Sequence, residues 1–481
     1  MDRGGLLEIR STDSSVEQDL PAWSRLTGNE MVSWTKQGAQ RSYLVCKGTL
    51  AERSKRVTET VRLPTRKQLV VPVSISKKLP APMTAPKIAP LSVMGIGSWP
   101  RPRWMVQALH ERLEGRLSEA DFQSTADDAV RLAVEAQLRA GVDVITDGEQ
   151  RRDSYASFVG ALLDNCQLIP LTDVSAMVDE PEKFERELRA LDVPSAEVRH
   201  PVVYGPLGRS RSLSLREFEF ARTLTDKPIK VALPGPYLLT RTMWLDCLTD
   251  RPYLTREALT ADVVRVLREE LHDLLAAGVA LAQFDEPVLT EVVYGGATRQ
   301  RCFMCGALSE KKSSEQELAF AGDLINEVVK GLPEERVALH LCRGNWTRDE
   351  SAALRGDYRP LLSLLNRVRV GTFFLELCTP RAGELEILKG LSHDRRIGVG
   401  VVNQKLDKIE AKEEIAAKVR SAINFLGRQR VLLTPDCGFA TFADNPVSSA
   451  SIPEKKLRAI TQARESLSVS TEKTETTNRH E

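Results

Sequence analysis

Eight short apolar runs alternate with helical patterns along most of this chain, and that alternation narrows its possible folds sharply. The runs are VMGIGSW (93–99), VDVITDGE (142–149), IKVALPGPY (229–237), ALAQFDEP (280–287), VALHLC (337–342), FFLELC (373–378), IGVGVVN (397–403) and VLLTPDC (431–437). Between most of them, apolar residues recur at helical spacing, as in Asp127–Ala140 and Asp262–Ala277. Near-continuous apolar strands separated by helices predict an α/β fold, a (β/α)8 TIM barrel with insertions. A doubly wound open sheet is the alternative. The barrel is favoured because nearly every run ends in polar residues, where barrel active sites form, and no G-x-G-x-x-G turn follows the first run. The stretch from about 161 to 228 is long for one connection and is expected to be an insertion over the barrel mouth.

The 481 residues are 42% hydrophobic, enough for a large core, and carry a formal charge of +1. That balance points to no nucleic-acid or anionic-membrane partner. No apolar run approaches the roughly 20 residues needed to span a bilayer. The start, MDRGGLLEIR, lacks a signal-peptide core, so a cytoplasmic location is expected. The eight cysteines are then expected to be buried, metal-bound or catalytic rather than paired as disulfides.

Four organisational units follow. Residues 1–48 hold a small α+β fragment: a strand (LLEIRST), a helix opened by an S-x-x-E capping box at Ser14 and Glu17, and two strands around Gly38. Residues 49–88 read as a charged, then Pro-rich linker. The barrel occupies 89–465. The tail, 466–481, has no apolar periodicity and is expected to be disordered.

His340, Cys342, Glu376 and Cys437 all stand at or near the ends of predicted strands. Alternation along a strand puts His340 and Cys342 on one face and turns Leu341 into packing. Imidazole, thiolate and carboxylate together suit zinc. The plain structural alternative is a core histidine, two buried cysteines and a stray carboxylate. Cys378, two positions after Glu376, is a rival ligand. Zinc held by two cysteines can also keep a substrate thiol as a nucleophilic thiolate, so thiol alkylation is the expected chemistry.

The first block resembles the second half of the small bacterial sulfur-carrier (TusA-like) domain, through LLEIRSTDSSVEQDLPAWSRLTGNEMVSW and SYLVCKG. That family carries its reactive cysteine in a C-P-x-P motif of the first half. No such motif precedes this block, and Cys46 on the last predicted strand is no substitute, so sulfur-carrier activity is not carried over.

From about 90 to 465 the chain resembles the catalytic domain of cobalamin-independent methionine synthase. The segments IGSWP, DGEQRRDSYASF, HPVVYGPL, LTDKPIKVALPGPYLL, AQFDEPVLTE, HLC, LELC, GVGVV and TPDCGF occur in that family's order. The resemblance implies a barrel, zinc on His340, Cys342, Glu376 and Cys437, and methyl transfer to the thiol of homocysteine to form methionine. It also implies an amino-acid site of Ile96, Gly97, Ser98, Glu149 and Asp285. Glu149 and Asp285 suit an ammonium group, and the Ile96–Ser98 backbone and hydroxyl suit a carboxylate. Glu291 could assist. The plain alternatives are strand-end capping for Asp285-Glu286-Pro287 and an ion pair with Arg151 or Arg152 for Glu149.

Two departures bear on the methyl donor. The full-length family has a second barrel that helps bind a polyglutamylated folate, whereas here the small α+β block and linker precede the catalytic region. The family's leaving-group histidine is replaced by Lys405, in VVNQKLDKIE. An unperturbed lysine, with pKa about 10.4, is a poor acid near neutrality. The alternative for Lys405 is a surface ion pair with Asp407 or Glu410. The donor is therefore expected to be 5-methyltetrahydrofolate or a methylated corrinoid, free or on a partner corrinoid protein. Cys302 and Cys305 form a C-x-x-C read as two ordinary loop cysteines. Competing functions are alkyl transfer to another thiol such as coenzyme M, a non-catalytic sulfur-trafficking role, and a metal-free decarboxylase of the uroporphyrinogen type.

Overall fold

The computed structural model describes residues 3–50, 70–75, 78–170, 199–244, 252–295, 312–345, 347–383, 385–443 and 446–477. Cys302 and Cys305 lie outside the described residues.

The first block has the expected order: β1 (Leu6–Ser11), α1 (Val16–Leu26), β2 (Glu30–Gln37) and β3 (Gln40–Cys46). The sheet is antiparallel with β3 central. Val32, Leu44 and Cys46 form a small core with Leu6 and Leu50. The expected capping box is not made. Ser15 occupies the N-cap without a side-chain bond, and Glu17 instead pairs with Arg41 and Lys36 across the sheet.

The described part of the connector is tied to the barrel side. Val71 exchanges hydrogen bonds with the Asn165 side chain at 2.9 and 3.0 Å. Met83 N donates to Leu275 O at 3.0 Å.

The barrel follows the predicted runs. A six-stranded parallel sheet holds β6 (Lys230–Pro234), β7 (Leu281–Asp285), β8 (Val337–Leu341), β9 (Thr372–Leu375), β10 (Arg396–Val402) and β11 (Val431–Pro435) in sequence order. Single parallel bridges close the ring, Val93 to Leu433, Met94 to Val144 and Ile145 to Ile229. The first two runs are thus very short strands that leave the ladder early and carry 96–99 and 146–149 to the barrel mouth. Met94, Ile96, Val144, Leu281, Ala338, Phe374 and Leu432 fill the barrel interior. The larger core lies between strands and helices.

The predicted helical patterns fall on α2 (Glu119–Arg139), with Ala140 as its C-cap, and inside α3 (Arg256–Ala277). Ser118 and Thr255 cap their first turns, and Gly278, at φ 98°, ends the second. Between the second and third barrel strands, β4 (Asp164–Pro170) and β5 (Arg199–Gly208) pair antiparallel and precede α4 (Leu215–Arg222). Two more elements matter below: α5 (Pro236–Met243), after β6, and the closing helix α6 (Ser451–Thr477). The last runs past residue 466 and is docked through Leu457, Ile460, Ala463 and Leu467.

Candidate metal and substrate centre

His340 is the penultimate residue of β8 with Cys342 just beyond the strand, and both face the mouth while Leu341 packs into the outer core. Cys437 enters from the turn after β11. The ligand atoms of His340, Cys342 and Cys437 lie within 4.8 Å of one another, all buried. His340 Nδ1 is 2.8 Å from Asp285 Oδ1. With Nδ1–H donating, Nε2 presents a lone pair, and that atom is buried with no hydrogen-bond partner. Such an orphaned nitrogen beside two thiols fits a soft divalent metal, with Asp285 orienting the imidazole from behind. The Cys437 thiol bonds to Cys342, which lowers the Cys342 pKa and raises that of Cys437.

Glu376 is completely buried beside this trio but not gathered with it. Its carboxylate accepts from Arg343 N at 2.7 Å, from Arg381 Nη1 at 3.1 Å and from the Asn345 amide. Cys378 is not at the centre. β9 ends at Leu375, so strand alternation no longer holds at 376–378. The Cys378 sulfur meets Lys418 Nζ at 3.0 Å, and burial pushes its thiol up to about 12.

A pocket opens on the trio, lined also by Ile96, Ser98, Glu149, Tyr155, Asp285, Asn345 and Thr441. Four of the expected amino-acid residues, Ile96, Ser98, Glu149 and Asp285, thus share one pocket. Glu149, at φ 55°, is buried, and burial raises its carboxyl to about 7 although Arg152 pulls it down. Gly97 does not line the pocket; it leaves room for the Glu149 carboxylate, into which a Cβ would run. Ser98 Oγ accepts from Ala440 N at 3.2 Å. Glu291 is buried on the helix Val288–Tyr294 and is not in the pocket wall. No residue of β4 or β5 is in that wall either, so the described part of the insertion does not cover this pocket.

The DEP segment divides its labour. Asp285 faces the pocket. Glu286 turns away and accepts from Tyr237 N at 2.7 Å and Leu238 N at 2.9 Å, capping the start of α5. The capping alternative is therefore met by Glu286, not Asp285. Lys405 is neither a surface lysine nor in the pocket wall. It is buried, and Nζ donates to Asp349 O at 3.2 Å and Gly344 O at 3.4 Å. Burial lowers its pKa, with Glu376 and Cys437 in electrostatic reach. Asp407 pairs with Arg348 and Glu410 with Lys456.

Sequence reasoning missed a buried relay. Lys230 Nζ donates to Gln283 Oε1 at 2.6 Å, and Gln283 Nε2 donates to Asp285 Oδ1 at 2.7 Å. The signal was present: both are polar residues inside otherwise apolar runs, and a buried polar group without a partner is costly. Tyr155, Asn345 and Thr441 had no comparable signal, since their places depend on loop paths.

The chain matches the family model described as "Cobalamin-independent synthase, Catalytic domain" over residues 91–452. A methionine synthase of Saccharolobus solfataricus is 26% identical over 354 residues, covering 73% of this chain and 89% of that protein. One from Sulfolobus acidocaldarius is 27% identical over 344 residues, covering 71% and 84%. Among solved structures, a B12-independent methionine synthase from Shewanella sp. W3-18-1, in complex with selenomethionine, shares the fold with a TM-score of 0.60 at 23% identity, covering 80% of this chain and 99% of that one. A putative vitamin-B12 independent methionine synthase from Listeria monocytogenes gives 0.56 at 20% identity, covering 79% and 99%. The chain belongs to the family of cobalamin-independent synthase catalytic domains, enzymes of the transferase class.

Proposed function

We propose that this enzyme transfers a methyl group to the thiol of homocysteine, making methionine, with zinc held by His340, Cys342 and Cys437. The observation that carries the reading is the buried, unpartnered His340 Nε2 beside two thiols, in a pocket that also holds two carboxylates. Zinc bound there would favour the thiolate of the acceptor and so raise its nucleophilicity at neutral pH. Glu376, buried beside the trio, would supply the fourth ligand.

The chain's own residues place the acceptor. Glu149 and Asp285 receive its ammonium group, and the Ser98 hydroxyl with the neighbouring backbone receives its carboxylate. Asp285 serves twice, because the same carboxylate orients the His340 ring, so substrate and metal positions are linked mechanically. Ile96 and Tyr155 bound the pocket and exclude water from the sulfur. Lys405 braces the loop carrying Gly344 and Asp349 rather than donating a proton, which leaves the leaving group without an acid from this residue. That arrangement favours a donor whose leaving group needs no proton, such as a methylated corrinoid, over 5-methyltetrahydrofolate. The paired carboxylates favour an amino-acid thiol over coenzyme M, whose anionic end they would repel.

The test is direct. Purified protein should contain close to one zinc per chain, and Cys437→Ser should lose most of it. Methionine formation from homocysteine is then assayed with methylcobalamin and with methyl-tetrahydrofolate side by side. Absence of zinc, or full zinc retention in Cys437→Ser, would sink the assignment. Activity with methyl-tetrahydrofolate alone would reverse the donor preference.

A further inference from the structure

A second cavity lies behind the catalytic pocket. It is an open cleft of about 560 Å3 between the segment before α2, α4 and the foot of β4. Its wall is half apolar, with Leu109, Leu113, Phe158, Leu162, Leu168 and Leu213. Four guanidinium groups share it, from Arg112, Arg151, Arg211 and Arg216.

The charges do not cancel locally. Glu119 is spent on Arg112, and Glu217 on the buried Arg152. Asp153, the remaining carboxyl in the wall, accepts from the Ser157 hydroxyl at 2.6 Å, and burial raises its pKa. Among the described residues Arg211 reaches only a backbone oxygen, Ala161 O at 3.0 Å, and Arg216 makes no ion pair. Arg151 is more than nine-tenths buried; Asp127 and Gln123 hold two of its nitrogens, yet Nη1 has no hydrogen-bond partner. A buried guanidinium nitrogen without an acceptor is costly, and an anionic oxygen would satisfy it.

We propose that this cleft is a second ligand site, for an amphipathic anion: one carboxylate, sulfonate or phosphate group on an apolar body. The head group meets Arg151, Arg211 and Arg216, and the body lies on the leucines and Phe158. The site is distinct from the acceptor pocket. Asp153 and Phe158 face the cleft while Tyr155 faces the pocket, and the strip between them is pinned by the Ser154–Phe442 bridge and the Tyr155 N to Thr441 O bond at 3.3 Å.

The test uses the fluorescent sulfonate 8-anilinonaphthalene-1-sulfonate on the folded, full-length protein. Saturable one-to-one binding is expected, weakened at least tenfold in each of Arg211→Glu and Arg216→Glu. Both side chains are exposed, so these variants should keep the wild-type thermal midpoint. Saturating methionine should not displace the probe. Three results would overturn the proposal: no saturable binding, unchanged affinity in both charge reversals, or displacement by methionine. None of these depends on zinc or methyl transfer, so the site can fail while the proposed function stands.

Discussion

Gly97 and Glu149 compete for one volume: a Cβ on Gly97 would overlap Glu149 Oε1. The two residues come from the ends of the first and second barrel runs, whose ladder contacts stop at Val93–Met94 and Val144–Ile145. Glycine at 97 is thus a condition for placing a carboxylate in the pocket. Gly97→Ala should push that carboxylate out of place and weaken methionine binding at least tenfold by titration calorimetry. Zinc content should be unchanged, because no ligand in the His340, Cys342 and Cys437 trio is touched.

The same carboxylate sets a pH dependence. Burial raises Glu149 to about 7, so it is largely neutral at pH 6 and largely charged at pH 8. An ammonium group prefers the charged form. Methionine, which has no thiol to titrate, should therefore bind more tightly as pH rises from 6 to 8, approaching tenfold per unit on the acid side. Below pH 7 binding should release a proton, visible as a buffer-dependent heat. Glu149→Gln should bind weakly and flatten that limb; an unchanged slope in this variant would assign the titration elsewhere.

The periodicity of the eight runs was enough to read the barrel, because each strand is buried on both faces and so keeps its apolar pattern. His340 and Cys342 were legible for the same reason, being separated by one residue at a strand end. Glu376 and Cys378 were harder: β9 stops one residue before Glu376, and beyond it side-chain direction follows local hydrogen bonds. Leu377 N and Cys378 N both donate to Asp436 Oδ1, at 3.0 and 2.9 Å, a long-range constraint invisible to spacing. The partners of Lys405 are backbone oxygens, which no residue type announces, so its buried place could not be read from spacing.

Glu286 offers a test of structure apart from chemistry. Its two oxygens take the Tyr237 and Leu238 N–H groups, and Gly235 leaves room for its carboxyl. Glu286→Gln is nearly isosteric but turns an NH2 toward one of those donors. One buried N–H loses its acceptor, at about 1–3 kcal/mol. The thermal midpoint should fall by a few degrees, while zinc per folded chain and methionine affinity stay near wild type.

Lys230 acts on the pocket from outside its wall, through Gln283 and Asp285. It is buried in the barrel, with Nζ 4.2 Å from the Phe374 ring centre, and burial lowers its pKa to about 7. Its bond to Gln283 Oε1 decides which end of that amide faces Asp285. With the NH2 forward, Gln283 and His340 both donate to Asp285 Oδ1, leaving Oδ2 for a substrate ammonium. Lys230→Met is one atom shorter and keeps an unbranched apolar stem beside Phe374 but frees the amide to turn. Its oxygen would then oppose the Asp285 carboxylate. Roughly tenfold weaker methionine binding is expected, about 1.4 kcal/mol, with the metal retained because His340 Nε2 and both thiols are untouched. In steady-state assays the loss should fall on KM more than on kcat. Unaltered affinity would mean that Asp285 is held by His340 alone, and that the relay through Gln283 serves only to satisfy a buried lysine.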